Sequence, residues 1–132
     1  MLFRSPTKVN GVSVPLADKW VLSKDEIAEV KIATDAYNVT IKAVADAKGL
    51  AFVDTKAIMA QLSTTGVVSN SFTLKSTYVT GGAFSLDGVH PSPRGYALIA
   101  NAFTAAINEK YTSTLKKVDL GLYQILYPAI LP

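Results

Sequence analysis

The chain has 132 residues, 49% of them hydrophobic and 17% charged, with no cysteine; one domain burying roughly two-thirds of its unfolded surface is expected, and disulfides, thiol nucleophiles and thiolate metal sites are excluded. Thirteen Lys and Arg against ten Asp and Glu leave a net charge of +3, scattered along the chain, too weak a footprint for nucleic acid. No stretch approaches the about 18 apolar residues that span a bilayer, and the opening from Met1 to Pro6 holds no apolar run of signal-peptide length.

Residues 1–22 carry Pro6, Gly11 and Pro15 among apolar residues and predict an irregular lead-in without strand or helix period. Ser23 followed by Glu26 is a capping box. Ile27, Val30, Thr34, Tyr37, Ile41 and Val44 then step by three or four residues, so the spacing predicts a long amphipathic helix over 24–48 with these side chains on one packed stripe and Gly49 as its stop. Asn38-Val39-Thr40 matches a glycosylation acceptor but falls inside this helix. Leu50-Ala51-Phe52-Val53 has the pattern of a strand buried on both faces of an α/β sheet, and Asp54 at its end is expected to cap a helix over Thr55 to Leu62.

From Ser63 to Ser85 the sequence turns to Ser, Thr and Gly with scattered apolar residues, which predicts a loose hairpin or lid-like excursion of unfixed register. Ser92 and Pro93 open a second helix to about Tyr111, with Tyr96, Ile99, Phe103, Ala106 and Ile107 expected on its buried face. Lys116-Lys117 is too short for a binding patch. The tail from Leu120 to Leu131 is apolar enough that it is expected to dock on its own domain, on a partner chain, or on another part of the same protein.

The chemistry concentrates at the single histidine, His90, in Leu86-Asp87-Gly88-Val89-His90-Pro91-Ser92-Pro93. An aspartate three residues before a histidine on a Gly- and Pro-constrained loop can fold its carboxylate onto one imidazole nitrogen and leave the other free to take a proton from a nucleophile. One histidine without cysteines does not fill a zinc shell. Arg94, in the first turn of the second helix, is expected to be a solvated side chain or a loop salt-bridge partner.

The stretch Gly81-Gly82-Ala83-Phe84-Ser85-Leu86-Asp87-Gly88-Val89-His90-Pro91-Ser92-Pro93-Arg94-Gly95-Tyr96-Ala97, followed by an apolar helix, resembles the last motif block of the SGNH (GDSL-type) serine esterases and lipases. The order of elements extends the resemblance over roughly 20–111. It implies an α/β fold of the flavodoxin-like three-layer type, an ester substrate, no cofactor, and Asp87 and His90 as the acid and base of a Ser-His-Asp triad. It also implies export of the parent protein to the periplasm, outer membrane or exterior of a bacterium.

The family's Gly-Asp-Ser nucleophile block, and the two blocks that supply the Gly and Asn of its oxyanion hole, have no counterpart in the chain, nor does a Gly-x-Ser-x-Gly elbow. Ser92 is expected to be a helix cap and Ser85 an ordinary loop hydroxyl. The 132 residues therefore match the C-terminal part of such a hydrolase, with an incomplete sheet, little activity alone, and self-association or docking to the missing N-terminal portion. The rival expectation is a non-catalytic interaction module that keeps a hydrolase-like framework and binds a partner through the 63–85 excursion and the tail.

Overall fold

A computed structural model describes residues 4–5 and 8–125. In chain order they form β1 (Arg4–Ser5), β2 (Lys8–Val9), α1 (Lys24–Ala47), α2 (Thr55–Ser63), β3 (Val67–Ser69), β4 (Phe72–Leu74) and α3 (Pro93–Tyr111), with 3-10 turns at Asp18–Trp20 and Leu120–Leu122. The chain is mixed α/β, and the two sheets among the described residues are antiparallel pairs, β1 with β2 and β3 with β4. It divides within α1 into two compact units, residues 1–44 and 45–132.

In the first unit the lead-in is not wholly irregular, because Arg4 pairs with Val9 and Ser5 with Lys8. The capping box starts α1: the Ser23 amide donates to the Glu26 carboxylate (2.7 Å) and the Glu26 amide to Ser23 Oγ (3.2 Å). Those bonds favour the ionised form and hold the Glu26 carboxyl below its usual range. The apolar stripe of α1 is not the packed face that its spacing predicts. Ile27, Val30, Ile41 and Val44 are exposed, and Tyr37 is 67% exposed. Periodicity aligns apolar side chains on one face, but their burial depends on an apolar partner surface.

The second unit opens on the end of α1, where the amides of Gly49 and Leu50 donate to the carbonyls of Asp46 (3.1 Å) and Ala45 (2.8 Å). This 5→2 and 6→1 pairing is a Schellman stop. The expected strand over 50–53 does not form. A strand is defined by a neighbour that takes its ladder, and the Ala51 amide donates instead to the Tyr111 hydroxyl (3.2 Å). Asp54 caps α2 by accepting from the Ala57 amide (2.9 Å).

The Ser/Thr/Gly stretch is a hairpin of fixed register, Val67 opposite Leu74 and Ser69 opposite Phe72. Its two-residue turn, Asn70-Ser71, has both residues at positive φ (48° and 66°), the backbone of a type I′ turn. Leu62, Leu74, Ala83, Ala97, Leu98 and Leu120 make the core, with Ile58, Phe72, Phe84 and Val118 packed against them.

The buried face of α3 is only partly the predicted one, with Ile99, Ala106 and Ile107 half-buried. Gly95, Ala97, Leu98 and Asn101 are buried, whereas Phe103 is exposed and Tyr96 is 53% exposed, so neither Tyr37 nor Tyr96 is a core packing residue. The rotation follows from polar side chains spaced by two helical turns. Asn108 donates to the Leu115 carbonyl (2.8 Å) and accepts from its amide (2.9 Å), and Asn101 does the same for Val118 (both 2.8 Å). Arg94 Nε donates to the carbonyls of Leu120 (3.2 Å) and Tyr123 (2.9 Å), with its guanidinium over the Phe72 ring (4.0 Å to the centroid). Arg94 is thus half-buried and, among the described residues, in no ion pair: it joins tail, hairpin and helix.

The tail docks on its own unit through Leu120, which is fully buried, while Leu122 is 80% exposed; Leu126, Tyr127 and Leu131 lie outside the described residues. Leu120→Ala is expected to cost about 2–5 kcal/mol in urea unfolding, and Leu122→Ala to stay within about 0.5 kcal/mol of wild type.

Candidate active site

The base of the site is a close approach of backbone to backbone. Ser92 is fully buried; its amide donates to the Ala83 carbonyl (3.0 Å) and its hydroxyl to the Gly82 carbonyl (2.6 Å). The same hydroxyl caps α3 by accepting from the Gly95 amide (3.0 Å). A Cβ on Gly95 would lie 2.1 Å from the Ala83 carbonyl oxygen, so only glycine lets helix and loop meet this closely. Pro93 occupies the first turn, where a missing amide costs nothing.

From that base the loop rises as a narrow hairpin. Phe84 pairs with Pro91, the Ser85 amide donates to the His90 carbonyl (2.8 Å), and the Gly88 amide donates to the Ser85 carbonyl (3.1 Å) with Gly88 at φ +73°. Within it Asp87 and His90 are brought together, His90 Nδ1 lying 2.6 Å from Asp87 Oδ2. The other carboxylate oxygen, Oδ1, accepts from Ser85 Oγ (2.6 Å) and from the amides of Val89 and His90 (both 2.9 Å).

These donors, the Ser85 hydroxyl foremost, then the Val89 amide, the His90 ring and the His90 amide, hold the Asp87 carboxyl far below the usual carboxylate range. An ionised carboxylate only accepts, so the contact at Oδ2 requires the proton of a neutral imidazole to sit on Nδ1, which leaves Nε2 with the basic lone pair. Among the described residues no hydrogen bond reaches Nε2. The His90 and Asp87 side chains are 71% and 50% exposed, so the pair faces solvent.

Two further residues shape the loop. Ser85 is no ordinary loop hydroxyl, since its proton goes to Asp87; the signal available in sequence was a hydroxyl residue two positions before the aspartate. Tyr78 donates its hydroxyl to the Leu86 carbonyl (2.6 Å), and its ring lies beside Gly88. Val79 next to it has φ +66°, a strained conformation for a β-branched residue, in the tight turn that leads back to Gly81. Nothing in the local pattern signals Tyr78, because its contact spans an insertion whose path the sequence leaves open.

An apolar cleft of about 100 Å³ lies at the foot of the loop, lined by Ile58, Met59, Leu62, Phe84, Leu98 and Ile99 among others. Among the described residues no three His, Asp or Glu side chains are grouped to hold a metal ion, and no helix is long and apolar enough to cross a membrane. Comparisons with protein-family models, with curated proteins and with solved structures find no match to the chain.

The depressed Asp87 carboxyl sets a direction for pH dependence. Its folded value lies below its unfolded one, so its contribution to stability is fully present above the ordinary aspartate pKa of about 4 and is lost as pH falls below it. The stability difference between wild type and Asp87→Asn, measured by thermal unfolding, is expected to be larger at pH 7 than at pH 3. Tyr78→Phe, which removes only the bond to Leu86, is expected to leave the unit folded and to speed amide exchange at Gly88 and Val89.

Proposed function

We propose that this chain supplies the base and the acid of a Ser-His-Asp triad in an SGNH-type ester hydrolase, as the C-terminal part of a flavodoxin-like three-layer fold. The observation that carries the reading is the 2.6 Å contact between His90 Nδ1 and Asp87 Oδ2 in a loop whose ends are tied to buried backbone. The Asp-Gly-Val-His-Pro-Ser-Pro block around it, with its resemblance to the last block of that family, gives the contact its chemical meaning.

The chemistry needs a hydroxyl at Nε2, and among the described residues none makes a hydrogen bond there. Ser85 has its proton on Asp87, and Ser92 is a buried cap with its proton on a carbonyl. In the proposed enzyme the nucleophile and most oxyanion donors come from residues outside these 132. His90 Nε2 takes the serine proton as the oxygen attacks the ester carbonyl, and the Asp87 carboxylate stabilises the imidazolium that forms. The imidazolium then returns the proton to the departing alcohol, leaving an acyl-enzyme that water cleaves by the same path. An exposed apolar face such as that of α1 is, on this reading, a surface for the rest of the hydrolase or a second copy.

The test is ester hydrolysis by a longer protein in which a Gly-Asp-Ser block precedes these residues. His90→Ala is expected to abolish turnover, and Asp87→Asn to lower kcat about 10⁴-fold by releasing the wrong tautomer. A serine-directed phosphonate is expected to label the Gly-Asp-Ser serine and to leave the 132-residue chain unmodified. Labelling of a serine in the short chain, or full turnover with His90→Ala, removes the reading; the second outcome points to a non-catalytic interaction module.

A further inference from the structure

We infer that Ser85 is a positioning residue for the Asp87–His90 pair: its hydroxyl completes the set of donors that occupies Oδ1 and thereby commits Oδ2 to the imidazole. A carboxylate on a short side chain can turn about its χ2 bond and exchange its two oxygens. Here the exchange is blocked from one side only. Three donors converge on Oδ1, namely Ser85 Oγ, the Val89 amide and the His90 amide, and one, the ring Nδ1, meets Oδ2.

Of the three, the two amides belong to the same turn as Asp87 and His90 and move with it. Ser85 alone reaches in from the opposite strand of the loop. Its own backbone is fastened across the loop, since its amide donates to the His90 carbonyl and its carbonyl accepts from the Gly88 amide. The hydroxyl is therefore a tethered donor, carried by a half-buried residue to a carboxylate that is exposed. Water can replace a hydroxyl as a donor but not as a tether, so the loss expected from removing it is one of orientation. The depressed Asp87 carboxyl, with Ser85 as its largest cause, agrees with this geometry.

The catalytic consequence rests on the hydrolase reading, whereas the hold of Ser85 on Asp87 does not. His90 is the only histidine in the chain, so its ring protons give one unambiguous set of signals in the nuclear magnetic resonance spectrum, and protonation of the adjoining Asp87 appears in them as an acid inflection. In the 132-residue chain, Ser85→Ala is expected to move that inflection up toward the ordinary carboxylate range, and Ser85→Thr, which keeps the hydroxyl, to restore it. Should the amide fingerprint show that Ser85→Ala does not fold, Ser85→Cys carries the same expectation, since it keeps the volume and weakens the donor.

In the longer hydrolase, Ser85→Ala is expected to lower kcat about tenfold with KM unchanged, as loss of orientation at the base predicts. An acid inflection identical in wild type and the donor-less variant overturns the role of Ser85, and the hydrolase reading survives if His90→Ala still abolishes turnover. A raised inflection in a protein whose turnover ignores His90→Ala upholds the hold on Asp87 and removes the hydrolase reading instead.

Discussion

One carboxylate organises the loop on which the proposed chemistry depends. Asp87 accepts four hydrogen bonds, three at one oxygen and one at the other, and every donor except Ser85 Oγ comes from the three residues that follow it. Charge-assisted bonds of this kind are short and directional. They convert a five-residue excursion, Leu86 to His90, into a turn with a defined imidazole orientation, although all of its residues are exposed. Without the charge, the amides of Val89 and His90 and the ring nitrogen would be left to water, and the bonds that remain, Tyr78 to Leu86 and Ser85 to His90 and Gly88, hold the backbone but not the imidazole.

A preorganised turn is useful only if it is fixed to something that does not move. Here the attachment is made by backbone contacts too close for a side chain, where the Ala83 carbonyl meets the amide of Ser92 and the bare Cα of Gly95. The same helix, α3, that receives the loop at its first turn also carries Arg94, Asn101 and Asn108, which bind the backbone of residues 115–123. The tail in turn delivers Leu120 to the core beneath the hairpin. Loop, helix, hairpin and tail are therefore parts of one packed unit with Leu98 and Leu120 in its core.

What was legible in the sequence was local. Ser23 with Glu26, Asp54, and Ser92 with Pro93 each announce a helix start through bonds that close within four residues, and all three starts lie where those signals put them. What depended on distant partners was not legible. A stripe of apolar residues predicts a helix but not its cover, so Tyr37 and Tyr96 read as core and are exposed. The exact face of α3 is not legible, because Asn101 and Asn108 look like solvent residues until the tail's backbone is there to be bound. Leu50 to Val53 has the composition of a buried strand, but strand formation is a property of the pair, and no neighbouring strand lies among the described residues to complete it. At the site, the Asp-x-x-His spacing announces its own contact, whereas Tyr78 arrives through an insertion and a strained turn at Val79 that no spacing rule encodes.

The exposure of the site separates what this chain provides from what the proposed hydrolysis requires. The Asp87–His90 contact is geometrically tight, but with 71% of one side chain and 50% of the other open to solvent an imidazolium formed there would meet the carboxylate in a medium of high dielectric, where an ion pair is weak and screened. A carboxylate supports an imidazolium most effectively where water is excluded, because the same contact is then several times stronger. Covering the pair carries a cost, since a desolvated carboxylate must keep its hydrogen bonds to remain charged. Asp87 already has its donors from within its own loop, so a surface laid over it removes water without stranding the charge. In the proposed hydrolase the segment that brings the serine to Nε2 is then also the one that dries the pair. On that reading, attack geometry and electrostatic strength arrive together with that segment.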